Sequence, residues 1–121
     1  MHNFKKLNIW IDGMEIVSET YKLTKTFPDN EKFGLTSQMN RCAVSIPSNI
    51  AEGTSKSSDK HFNKYLEDSL GSAFELETQL IIAYREKYLT EEKYNILIKK
   101  INQLQKMISG FKSRLSKSLD S

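Results

Sequence analysis

The chain has 121 residues, one cysteine, two prolines, five glycines and a formal net charge of +3 at pH 7. That length suits one domain over residues 1–121 that buries a single core, and the lone Cys42 excludes an internal disulfide. Few helix breakers beside abundant Lys, Glu, Leu and Ile point to an all-α fold. No apolar run nears the roughly 20 residues of a bilayer span, and no signal-type apolar run follows Met1 to Lys6, so a soluble, cytoplasmic protein without a membrane partner is expected.

The first helix is predicted from about Asn8 to Phe27, with Leu7, Ile11, Met14, Val17 and Tyr21 on one face and Ile9, Ile16 and Leu23 broadening it. Pro28 disfavours helical geometry in the residue before it and closes the segment. A short turn after Asn30 and a change of direction at Gly34 lead to Thr36, the predicted N-cap of the second helix. That helix, residues 36–53, carries apolar Leu35, Met39, Cys42, Ile46 and Ile50 beside a polar stripe of Gln38, Arg41, Ser45, Asn49 and Glu52. It also contains Pro47, although an interior proline forfeits a backbone hydrogen bond and costs about 3 kcal/mol. Something in the surroundings has to favour keeping it, and a bend that brings the polar stripe to its neighbours is one account.

Ser57 or Ser58 caps the third helix, which is predicted to run to about Tyr88. Its stripe Phe62, Leu66, Ser69, Ala73, Leu76, Leu80 and Ala83 alternates steps of four and three, and a second stripe of Tyr65, Leu70, Phe74, Ile81 and Tyr84 widens it. A helix apolar over so much of its girth is central or meets another subunit, which makes Leu70, Phe74 and Ile81 candidate oligomer contacts. Gly71 in mid-helix predicts close packing, because an unneeded glycine costs about 0.8–1 kcal/mol against alanine. Thr90 caps the fourth helix, striped by Tyr94, Leu97, Ile101, Leu104, Ile108, Phe111 and Leu115, with Ser116 to Ser121 expected to fray. Short connections between long helices with this spacing predict an antiparallel, up-down-up-down four-helix bundle.

The chemistry-bearing residues are sparse. A carboxylate-bridged metal site needs Glu-x-x-His pairs, and the two histidines, His2 and His61, supply none; neither metal nor another cofactor is expected. Cys42 sits on an apolar stripe without a histidine near it, and no serine elbow or Gly-rich phosphate loop occurs, so the chain is not expected to be an enzyme. Arg41 and Glu52 lie three helical turns apart with Ser45 and Asn49 between them. Facing Ser72 and Glu75, they would form a polar network that fixes register or assembly, with Arg41 to Glu75 a charge-assisted hydrogen bond. Lys56, Lys60 and Lys64 line one side of the third helix, and Lys99, Lys100, Lys106, Lys112 and Arg114 make the chain's end basic. These are candidates for RNA or DNA phosphate contacts, which carry no base specificity.

The segment Gln38-Met39-Asn40-Arg41-Cys42-Ala43-Val44-Ser45-Ile46-Pro47-Ser48-Asn49-Ile50-Ala51-Glu52-Gly53 resembles the motif Q-x-R-R-A-A-x-S-I-P-x-N-I-A-E-G of the bacterial 23S rRNA-intervening-sequence proteins. The resemblance continues in Leu7-Asn8-Ile9-Trp10, in Phe27-Pro28 with Glu31 and Phe33 to Thr36, and in Gly71 to Glu77. Asn40 stands where the family often has its first arginine, and Cys42 where it often has alanine. The resemblance implies a non-enzymatic four-helix bundle that assembles as a homopentamer. A related branch, the accessory protein of diversity-generating retroelements, binds nucleic acid and a reverse transcriptase. Two functions follow as expectations. One is an oligomeric scaffold or accessory factor holding RNA or DNA weakly by its phosphates; the other is a protein-interaction module without nucleic acid.

Overall fold

The computed structural model describes residues 3–120; His2 and Ser121 lie outside the described residues. Four helices make up the fold: α1 (Asn8–Thr24), α2 (Leu35–Thr54), α3 (Asp59–Arg85) and α4 (Glu91–Asp120), with single 3-10 turns at Phe4–Lys6 and Asp29–Glu31. Each helix packs on its chain neighbours, and α4 returns to α1. Side-chain bonds show the alternating direction. Ser69 reaches Ile46 while Cys42 reaches Ser72, so α2 and α3 are antiparallel, and Asn63 to Ser116 with Gln105 to Ala73 shows the same for α3 and α4. The all-α, up-down-up-down four-helix bundle expected from periodicity is the fold.

The helix ends follow local chemistry. α1 stops at Thr24, three residues before the expected Phe27, because the Thr26 hydroxyl and amide both take the Leu23 carbonyl and Phe27 N–H turns back to Thr24. The N-cap of α2 is Gly34 rather than Thr36, and the side chain that accepts from the first amide, Leu35 N, is Glu31 at 3.1 Å. The same carboxylate accepts from the Tyr88 hydroxyl at 2.9 Å, which raises that phenol's pKa above its ordinary value and ties the α1–α2 connection to the turn after α3. Ser58 caps α3 through His61 N, and Thr90 caps α4 through Lys93 N, both as the sequence predicts. α4 stays helical through Asp120, beyond the expected fraying point.

The core is Ile16, Met39, Ile46, Ile50, Leu66, Leu76, Leu80, Ile101, Leu104 and Ile108, all nearly or wholly buried, with smaller contributions around them. The stripes read for α2, α3 and α4 supply it. For α1 the reading is corrected: Ile9, Ile16 and Leu23 face inward with Gly13 and Thr20, whereas Ile11, Met14 and Tyr21 are more than 40% exposed. Two apolar stripes compete on α1, and the one that carries the buried Gly13 is the one that packs. Gly13 lies against Pro47 of α2, where a Cβ would stand at an ordinary 3.4 Å from the ring. α2 runs as one continuous helix through Pro47, which is buried there.

Gly71 is also corrected. It is exposed, and a Cβ there would meet nothing within 4 Å. The tight α2–α3 approach is instead at Gly53, where a Cβ would lie 2.7 Å from Phe62 and 2.9 Å from the Tyr65 Cβ.

Candidate nucleic-acid interface

The polar stripe of α2 divides into two parts. Ser45 and Asn49 are half-buried and bond to their own helix: Ser45 Oγ donates to the Cys42 carbonyl at 2.7 Å, and Asn49 Nδ2 to the Ser45 carbonyl at 2.8 Å. Arg41 and Glu52 are exposed and make no ion pair among the described residues, so the expected Arg41–Glu75 bond is absent within the chain. Ser72 takes part through its backbone, its carbonyl accepting from Cys42 Sγ at 3.1 Å. Glu75 stands beside that thiol and, at a long 3.5 Å, accepts from Gln79. Burial first, then the Glu75 charge and hydrogen bond, push the Cys42 pKa up to about 12, so the thiol stays protonated and unreactive at neutral pH.

Ser69, read from the sequence only as a small member of an apolar stripe, is the buried connector between α2 and α3. It is fully buried, and its hydroxyl donates to the Ile46 carbonyl at 2.8 Å, one residue before Pro47. Gln105 does the same between α4 and α3, donating to Glu77 at 2.9 Å and to the Ala73 carbonyl. A polar residue at core spacing with a helix carbonyl opposite was the available signal for both.

The basic residues separate by direction. Lys100 turns toward α1 and pairs with Glu15 at 2.8 Å, a hydrogen bond that raises its pKa; Lys112 turns toward α3 and donates to Asn63. Lys56 lies over the Tyr65 ring, 4.9 Å from its centroid, while Lys60 and Lys64 are exposed on the face of α3 that also carries Glu67. Lys99, Lys106 and Arg114 are exposed together with Lys117 on one side of α4. At 3.6 residues per turn, Lys99, Lys106 and Lys117 project within about 20° of one another and span about 27 Å of helix, with Arg114 about 60° to the side. Gln103, Ser109 and Ser113 fill the same exposed face, and residues 93–119 contain no Asp or Glu. This helix face is therefore continuously positive and rich in neutral hydrogen-bonding groups.

Among the oligomer candidates, Phe74 is 53% exposed, whereas Leu70 and Ile81 are half-buried. Ile82 joins Phe74 and Gly71 on the outer side of α3, and Trp10, Met14, Val17, Val44, Pro47 and Ala51 line an apolar groove between α1 and α2. Among the described residues no three His, Cys, Asp or Glu side chains gather into a metal-binding group, and no helix is long and apolar enough to cross a membrane.

These features define a class: an antiparallel four-helix bundle whose ordered chemistry lies on helix faces. Within that class, the sequence pattern of the family described as "23S rRNA-intervening sequence protein" matches residues 5–110, and the chain belongs to that family. It is similar in structure to a protein of unknown function from the S23 ribosomal protein family of Bacteroides thetaiotaomicron, with a TM-score of 0.79 and 25% identity over 85% of this chain and 96% of the other. No curated protein matches it.

Proposed function

We propose that this chain is a non-enzymatic, self-associating bundle that holds RNA or DNA by its phosphates, as a scaffold or accessory factor in the cytoplasm. The observation that carries the reading is the exposed α4 face of Lys99, Lys106, Arg114 and Lys117, with no acid along residues 93–119. Such a face gives backbone contacts that are independent of sequence and weaken steeply with salt. The buried polar side chains Cys42, Ser69 and Gln105 are occupied by helix carbonyls, which supports a role in packing rather than catalysis. Self-association, as a homopentamer by the family resemblance, would cover Phe74 and Ile82.

Fluorescence anisotropy with labelled RNA and DNA tests this at two salt concentrations. Binding at low salt should fall as salt rises, and Lys99→Glu with Lys106→Glu and Arg114→Glu should flatten the log–log salt slope by about 0.7–0.9 per lost contact. Failure to bind either polymer at low salt would overturn the reading. A second reading, a protein-interaction module that meets a reverse transcriptase or another protein, draws on the exposed Phe74 and Ile82. Native mass measurement with and without mixed RNA and DNA separates the two: assembly without uptake favours the second. Phe74→Glu should break the assembly in either case.

A further inference from the structure

Two pairs of opposite charges on the outside of the bundle share one spacing. Arg41 and Glu52 stand eleven residues apart on α2, and Lys64 and Glu75 stand eleven residues apart on α3. Eleven residues are three helical turns, so the members of each pair lie about 16.5 Å apart and within about 20° of one line along the helix. All four side chains are exposed, and none makes an ion pair among the described residues. Within the chain α2 and α3 touch through Cys42 with Ser72 and through Ser69 with Ile46, which leaves these charges on the outer edges. On both helices the cation comes first and the acid second. Two such edges laid antiparallel set Arg41 against Glu75 and Glu52 against Lys64; laid parallel, they set like charges together.

The apolar surfaces beside the two edges match as well. The α2 edge borders a groove of about 320 Å³ walled by Trp10, Met14 and Val17 of α1 and by Val44, Pro47 and Ala51 of α2, with Ser48 beside them and no charge in its lining. The α3 edge borders an exposed ridge of Gly71, Phe74, Thr78 and Ile82 at three-four spacing. A Cβ on Gly71 would meet nothing within its own chain, so the middle of this ridge is open to a close approach from outside. A groove between two helices takes the apolar stripe of a third. With the charges in register, Gly71 comes opposite Val44, and Phe74 falls on the α1 wall.

We infer that the occupant of the α1–α2 groove is α3 of a second copy of this chain, running antiparallel to α2 and held in register by Arg41–Glu75 and Glu52–Lys64 bridges between copies. The inference rests on the self-association in the reading above and names the two faces that make it. The contact joins one face to a different face, so any two joined copies still offer one free groove and one free ridge, and head-to-tail repetition builds a ring or a filament. No residue of α4 takes part, which leaves the Lys99, Lys106 and Lys117 face open to phosphates.

Ser48 and Asp68 each lie seven residues inward from Arg41 and Glu75, so they meet across this contact, and both are exposed. A Ser48→Cys chain and an Asp68→Cys chain, refolded together and mildly oxidised, should form a covalent dimer that neither variant forms alone; the buried Cys42 stays out of the reaction. Arg41→Glu sets two carboxylates face to face and should weaken assembly roughly tenfold or more in native mass measurement, and Glu75→Arg in the same chain should restore it. An oligomeric wild type whose mixed variants do not cross-link, or whose Arg41→Glu form assembles unchanged, overturns this pair of faces and leaves self-association standing. Cross-linking of either cysteine variant by itself means a symmetric contact and overturns the head-to-tail arrangement. A wild type that stays monomeric removes self-association and this inference together.

Discussion

Replacing Gly53 by alanine sets two effects of opposite sign against each other at the closest α2–α3 approach. The helix gains about 0.8–1 kcal/mol in intrinsic propensity. Against this, the new Cβ would stand 2.7 Å from Phe62 Cδ1, 2.9 Å from Tyr65 Cβ and 3.2 Å from Phe62 Cε1. Tyr65 Cβ is fixed to the α3 backbone and cannot swing away. Phe62 is 2% exposed and packs edge-on against Phe111 at 5.6 Å, so its ring has nowhere to go either. The helices must separate by several tenths of an ångström, and because neither neighbour can give way the cost lies in the upper part of the overpacking range, about 2–3 kcal/mol. The net expectation is a loss of about 1–2 kcal/mol, which for a chain of this size lowers Tm by roughly 3–8 °C. Thermal unfolding followed by circular dichroism, alongside urea titration, reads it directly. A Gly53→Ala protein with unchanged or higher Tm would refute the claim that this crossing sets the α2–α3 spacing.

Gly71→Ala should have the opposite sign, since its Cβ meets nothing within 4 Å: a gain of about 0.8–1 kcal/mol by urea titration, with a loss pointing to a contact on that face in the assembled protein. Lys87 ends α3 with φ 65°, a left-handed conformation that costs a side-chain-bearing residue about 1–2 kcal/mol. Lys87→Gly removes that cost but adds about 0.5–1 kcal/mol of unfolded-chain freedom, so a net stabilisation of about 0.5–1 kcal/mol is expected, and destabilisation would show that Lys87 makes a needed contact. Cys42 should resist a thiol reagent at pH 8 until the protein is unfolded; prompt native reaction would contradict its burial. Because burial and Glu75 push the folded thiol's pKa up to about 12 from an ordinary 9.0, the unfolded chain binds fewer protons than the native one between those values. The contribution is fully present below pH 9 and is lost as pH rises toward 12, so wild type should lose stability over that window faster than Cys42→Ala.

The basicity of residues 99–117 was readable as composition, but its geometry was not. The sequence places Lys99, Lys100, Lys106, Lys112 and Arg114 in one segment; only the packing of α4 sends Lys100 to Glu15 and Lys112 to Asn63 while leaving the other three exposed. Likewise Arg41 and Glu75 occupy plausible registers for a bond, and the structure instead places the Cys42 thiol next to Glu75.

By itself the sequence determined the helices, their antiparallel order and the family, because three-four periodicity, caps and a long ordered motif are local properties written in consecutive residues. Tertiary structure alone decided which of the two apolar stripes on α1 is buried, which glycines carry close contacts and which lysines remain free. Those outcomes depend on what each side chain meets across a helix interface, and the same exposed-looking pattern is compatible with several rotations of a helix until its neighbours fix one. In the rotation adopted here Gly13 lies against Pro47, where a Cβ would still stand at an ordinary 3.4 Å, Ile9, Ile16 and Leu23 turn inward and Ile11, Met14 and Tyr21 stay outside.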